Sequence, residues 1–229
     1  NHPPRRSGHR LGMMRRNGFR AIVWDIDGTL VDSEPLHKEA MIRVSAAHGQ
    51  ALPRAPLVTL LGKTTLDSYA MVQQLAPVPL SYEEWIEATE VHFLSMNDRL
   101  RPRDQVIEHL ALFARLGLKQ GAASNAPRGA VETNLRCLSS HITLHAVVAR
   151  DDVVQPKPHP EPYLLAAERL GVFPTECIAI EDSPVGARSA YEAGMHVIAW
   201  PQSPGLQFTH ATRIVSRLAE IDWHALIAS

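Results

Sequence analysis

Ala21-Ile22-Val23-Trp24-Asp25-Ile26-Asp27-Gly28-Thr29-Leu30 is the stretch whose reading decides the fold. Its first four residues are an apolar run between Arg20 and Asp25, the pattern of a strand buried on both faces. Similar runs recur at 118–123, 145–149, 177–180 and 196–200, and helical patterns separate most of them. Residues 104–116 set Val106, Ile107, Leu110 and Phe113 on one face, and Gly117 ends the pattern. Residues 162–170 place Tyr163, Ala166, Ala167 and Leu170 at helical spacing before Gly171. Ser183-Pro184 supplies an N-cap and a first-turn proline, and Gly194 closes that helix. Strands alternating with helices predict an α/β fold, a doubly wound parallel sheet covered on both faces.

The alternation breaks from about 34 to 99, where no strand pattern occurs. Leu36, Ala40, Val44 and Ala47 mark a helix that stops at Gly49. Ser81-Tyr82-Glu83-Glu84 is a capping box, with Leu80 placed to staple against Trp85. The helix after it carries Trp85, Ile86, Thr89, Phe93 and Met96 on one face, a stripe read as apolar core. The chain therefore divides into an α/β core (19–33 and 100–229) and a small α-helical cap (34–99). The cap is expected above the edge of the sheet where ligands bind.

The full chain has 229 residues, 45% of them hydrophobic and 21% charged, which excludes a disordered or collagen-like protein. A formal charge of −1 gives no overall field toward nucleic acid or a membrane surface. No apolar run approaches the roughly 18 residues of a membrane span. Arg5, Arg6, Arg10, Arg15, Arg16 and Arg20 lie in the first 20 residues without an acid. Segment 1–18 is read as a flexible basic tail, with Met13 or Met14 as a natural start. Cys137 and Cys177 are expected as two reduced, buried thiols in a cytoplasmic protein, a monomer or weak homodimer.

The chemistry gathers at strand ends. Asp25 and Asp27, two apart after the first strand, can point the same way and need a cation or a shared proton to coexist. Gly28 lets the chain turn. Ser124 and Asn125 follow the second run, where a hydroxyl and backbone amides can hold a phosphate. Lys157 sits among four prolines in residues 155–162, one of only four lysines against nineteen arginines. Glu181 and Asp182 end another strand and are good ligands for a hard cation. In a parallel sheet these ends converge, giving a nucleophilic carboxylate, a second carboxylate, a phosphate-holding hydroxyl, an ammonium and a Mg²⁺ site, the parts of phosphoryl transfer. Gly62-Lys63-Thr64 is not a nucleotide-binding loop, because Leu57 stands where that pattern needs glycine.

These four ordered motifs over about 19–200 resemble the haloacid dehalogenase superfamily, in the branch with a small helical cap that holds β-phosphoglucomutase and sugar-phosphate phosphatases. The resemblance implies that Asp25 is the nucleophile and Asp27 the general acid/base, whose carbonyl also touches Mg²⁺. It implies that Ser124 and Lys157 hold phosphoryl oxygens and that Glu181 and Asp182 complete the metal site. Gly28, Thr29, His37, Lys63 and Asn125 are the candidate substrate contacts. The family's dehalogenases lack the second aspartate, so Asp27 points away from dehalogenation. In the mutase an arginine grips the distal phosphate three residues after the cap-loop glycine; here Thr65 holds that place. A Mg²⁺-dependent phosphatase of small phosphorylated metabolites is the resulting expectation. The alternatives are a phosphohexomutase or a non-catalytic phosphometabolite-binding protein.

Overall fold

The computed structural model describes residues 18–60, 65–140, 142–202 and 205–229. The expected tail up to residue 17, and Lys63, lie outside them. Strands β1 (Ala21–Trp24), β2 (Lys119–Ala123), β3 (Ala146–Val148), β4 (Cys177–Glu181), β5 (His196–Ala199) and β6 (Arg213–Ile214) form one sheet in the order β3-β2-β1-β4-β5-β6. Every pairing is parallel. Trp24 stands level with Ala122 on one side and Ile180 on the other, so β1, β2 and β4 end together. The chain steps from β1 outward to β3, then returns to the opposite side of β1 as β4. That reversal opens a crevice at the carboxyl ends of the strands.

Alternation along each strand builds two apolar layers. Ile22, Trp24, Ile178, Ile180 and Ile198 face one way. Ala21, Val23, Cys177, Ala179 and Val197 face the other. Helices α4 (Val106–Arg115), α5 (Arg128–Leu135) and α8 (Trp223–Ala228) cover the first layer through Leu110, Phe113, Val131 and Trp223. Helices α6 (Glu161–Leu170) and α7 (Pro184–Glu192) cover the second through Tyr163, Ala166, Ala187 and Ala190. Each fully buried aliphatic side chain contributes about 1.5–3 kcal/mol.

Helices α1 (Glu34–Ala47), α2 (Thr65–Leu75) and α3 (Tyr82–Leu94) make up the insert, and among the described residues from 34 to 99 there is no strand. They share a separate apolar cluster around Met41, Val44, Leu57, Val72 and Trp85. Ser81 and Glu84 form the reciprocal cap, at 3.2 and 2.8 Å. The chain enters and leaves the insert side by side. Asp32 donates to the Arg101 carbonyl at 3.0 Å and Arg103 to that of Leu30 at 3.1 Å.

The structure departs from the sequence reading in four places. Helix α4 starts at Val106, because Gln105 before it has a φ of 69° and is not helical. Strand β6 has two exposed residues and no apolar run, so only its pairing with β5 reveals it. Helix α2 was not read at all. Cys177 is buried as expected, but Cys137 is only half-buried. Both thiols are free, and burial raises both, Cys177 to about 12, so neither is a ready thiolate. Among the described residues no helix is long and apolar enough to cross a membrane.

Candidate active site

Asp25 follows β1, and its backbone N–H continues the sheet by donating to the Ile180 carbonyl at 2.9 Å. Its side chain therefore stands beside the end of β4, where Glu181 is wholly buried. Lys157, reached from the loop after β3, inserts between them. Its Nζ donates to Asp25 Oδ1 at 2.7 Å and to Glu181 Oε1 at 2.6 Å. The Tyr163 hydroxyl, from the first turns of α6, donates to the same Oε1 at 2.6 Å. Ser183 binds Glu181 Oε2 through its hydroxyl at 3.1 Å while accepting from Gly186 N at 3.1 Å. Gly186 itself is required, since a Cβ there would overlap the Glu181 carboxylate.

One ammonium does not balance this cluster. Asp25, Glu181 and Asp182 offer oxygens that all lie within 4.8 Å of one another. Burial first, then Glu181, push Asp25 from its ordinary 3.8 up to about 7 against the pull of Lys157. Burial, Asp25 and Glu181 likewise hold Asp182 well above the carboxylate range. Burial alone would lower Lys157, but the two carboxylates outweigh it and raise it. Asp25 Oδ2 is buried without a hydrogen-bond partner. An orphaned carboxylate oxygen in an all-oxygen cluster fits a hard divalent cation. Gly28, at φ 82°, keeps the space beside Asp182 Oδ2 open, because a Cβ there would overlap that oxygen.

Asp27 lies apart from that cluster. Its Oδ1 accepts from Asn134 Nδ2 of α5 at 2.7 Å and its Oδ2 from Ser124 Oγ at 3.3 Å. Ser124, nearly fully buried after β2, also accepts from Ala126 N at 2.9 Å. The turn that carries Asp27 is fastened at Gly28, whose carbonyl accepts from Arg103 at 2.8 Å and Gln202 at 3.0 Å. The Arg103 guanidinium also binds the Trp200 and Pro201 carbonyls and lies 3.5 Å over the Trp200 ring. Burial lowers Arg103 to about 10 although Asp182, Asp32 and Asp104 favour its charge.

Asp25, Asp27, Ser124, Lys157, Glu181 and Asp182 thus come together at the strand ends. The expected substrate contacts fare differently. Thr29 is fully buried, and its hydroxyl has no hydrogen-bond partner. Asn125 neither caps α5 nor stands free. Its Nδ2 donates to the Lys157 carbonyl at 3.1 Å and its Oδ1 accepts from Lys157 N at 2.9 Å, which clamps the lysine loop. His37 is exposed on α1 and stacks on Phe93 at 4.2 Å, a cap contact. Tyr163, Arg103 and Asn134 were not singled out for this site from the sequence. Tyr163 lay hidden in an apolar stripe, and a polar residue three after buried Val131 was the one available signal for Asn134.

The profile of the haloacid dehalogenase-like hydrolases matches residues 19–194. The chain belongs to this family. Fructose-1-phosphate phosphatase YqaB of Escherichia coli is 29% identical over 79% of the chain and 95% of its own length. Hexitol phosphatase B of the same organism is 33% identical over 79% of the chain and 83% of its own. The crystal structure of CbbY from Rhodobacter sphaeroides in complex with phosphate superposes with a TM-score of 0.74 at 27% identity, covering 92% of this chain and all of that one. Within the haloacid dehalogenase-like hydrolases, the chain is thus similar to enzymes named as phosphatases along most of its length.

Proposed function

We propose that this hydrolase is a Mg²⁺-dependent phosphatase of small phosphorylated metabolites, sugar phosphates foremost, working through an aspartyl phosphate formed on Asp25. The observation that carries this reading is Asp25 itself: one oxygen fixed by Lys157, the other buried and free, at the centre of a carboxylate cluster. The side chains of Asp25, Glu181 and Asp182, with the Asp27 carbonyl, would hold the ion. When bound, Mg²⁺ neutralises charge between the carboxylates and the substrate's phosphoryl oxygens.

Lys157 holds Asp25 in place and offsets charge that develops on the phosphoryl group. Ser124 Oγ donates to a phosphoryl oxygen. A carboxylate oxygen of Asp25 attacks phosphorus while the bond to the leaving oxygen breaks, and Asp27 gives that oxygen its proton. Water then attacks phosphorus of the aspartyl phosphate and yields its proton to Asp27; the P–O bond to Asp25 breaks, inorganic phosphate leaves and the starting state is restored. The helical insert acts as a lid that closes over the substrate and excludes bulk water. Its loop and α1 choose the substrate. Thr65, exposed at the start of α2, offers no guanidinium for a second phosphate, which favours hydrolysis over mutase chemistry.

The test is phosphate release from fructose 1-phosphate, hexitol phosphates and β-glucose 1-phosphate, with Mg²⁺ or EDTA, for the parent chain and Asp25→Asn. We expect Mg²⁺-dependent release that falls on the order of 10³-fold or more in the variant. Release untouched by Asp25→Asn would overturn the mechanism. Glucose 6-phosphate formed without net release would make the enzyme a mutase. No turnover of any substrate, with binding retained, would make it a binding protein.

A further inference from the structure

Asn134 is a buried amide on the apolar face of α5, one turn beyond Val131, and is 1% exposed. An amide in such a place costs free energy unless it is bonded. Its Nδ2 meets Asp27 Oδ1 at 2.7 Å, and its Oδ1 has no partner. In this orientation the amide presents its N–H to Asp27 Oδ1, which accepts. The bond from Ser124 to the other Asp27 oxygen is longer, 3.3 Å, and comes from a hydroxyl that rotates freely. The two oxygens of Asp27 are therefore not equivalent: one is anchored by a helix packed into the core, the other is loosely held.

We propose that Asn134 is a positioning residue for Asp27, anchoring Oδ1 through its amide so that Oδ2 is the oxygen that exchanges the proton with the leaving group and with water. The inference rests on the reading of Asp27 as the general acid and base. As substrate arrives, Ser124 turns its hydroxyl to a phosphoryl oxygen and releases Oδ2, while the Asn134 bond persists. Oδ2, which enters the cycle protonated and regains its proton from water at the end, then delivers that proton to the departing alkoxide as the P–O bond to the sugar breaks and the bond to Asp25 forms. In the second step the same oxygen takes the proton of the attacking water. Without the anchor the carboxyl group rotates, and the oxygen carrying the proton is less often aimed at the leaving group.

A general acid matters for a poor leaving group and little for a good one. The experiment therefore compares kcat/KM for the sugar phosphate cleaved fastest in the panel above with kcat/KM for p-nitrophenyl phosphate. Asn134→Leu keeps the volume and removes the donor; Asn134→His restores an N–H at a similar distance from the backbone. We expect Asn134→Leu to lower the sugar phosphate value about 10- to 100-fold and the aryl phosphate value less than about 3-fold, with partial recovery in Asn134→His. If Asn134→Leu does not fold, Asn134→Ala is read by the same ratio. Equal losses on both substrates, or no loss on either, would overturn the proposal. Asp27→Asn is measured alongside. If its loss depends on the leaving group while that of the Asn134 variants does not, the positioning role alone fails; if its loss is equal on both substrates, the role of Asp27 fails with it.

Discussion

At the edge of the sheet, Asp25, Lys157 and Glu181 are buried and tied together by bonds of 2.6–2.7 Å. Among the described residues of the helical insert no charged side chain is buried. Its ion pairs, Glu34 with Lys38 and Glu39 with Arg43 and Arg54, lie toward solvent and add little. Apolar packing around Trp85 holds it instead. Charges taken out of water demand their partners in fixed places, whereas an apolar cluster accepts many side chains of similar volume. The sheet edge thus holds its groups in fixed places, whereas the insert can exchange apolar side chains of similar volume without losing its fold.

The sharpest way to break this contrast is Lys157→Met. It leaves Asp25 and Glu181 facing each other without the ammonium. We expect a loss of about 3–5 kcal/mol in urea unfolding, together with loss of turnover. A variant as stable as the parent would mean that the cluster sheds its charge by taking up protons, and that its geometry is not enforced by the lysine.

A smaller effect comes from pH. In the cation-free protein Asp25 stays protonated up to about pH 7, where the unfolded chain has already ionised near 3.8. Between those values this group subtracts stability as pH rises, because the unfolded state has lost a proton that the folded state keeps. A cation must displace that proton. Its apparent affinity should therefore fall on acidification below 7, by roughly 30-fold at pH 5.5 relative to pH 8 for a single proton. Thermal shifts against Mg²⁺ concentration at the two pH values would measure it, and equal affinities would show that Asp25 is already ionised in the free site.

The smallest change expected is in the insert. Ser81→Ala removes the acceptor for Glu84 N at the start of α3. It should cost about 1 kcal/mol in urea unfolding while p-nitrophenyl phosphate turnover stays within about twofold. A parallel fall in turnover would show that the insert and the sheet edge are not separable.

Much of this site was legible because its chemistry follows the chain. A strand end places the next side chain at the sheet edge, so Asp25, Ser124 and Glu181 could be located from apolar runs alone. Lys157 was legible from its setting among prolines in a chain poor in lysine. What joins these segments was not. The Asn125 amide spends itself on the backbone of Lys157, 32 residues away. Asn134 reaches Asp27 across 107 residues, and Arg103 pins the Gly28 turn to the end of β5. Periodicity records which face of a helix is buried, but not which buried polar atom it meets there.

The sequence by itself determined the alternating strands and helices, the interruption by a helical insert and the acidic and basic groups at the strand ends, because those follow from local period and turn chemistry. Only the tertiary structure decided that Glu181 is bound by Lys157 and Tyr163, that Asp27 turns to Asn134 rather than toward Asp25, Glu181 and Asp182, and that Thr29 is buried. Each of those depends on which groups from distant segments share one desolvated space, where a carboxylate without a partner costs several kcal/mol and the available donors fix which way it faces.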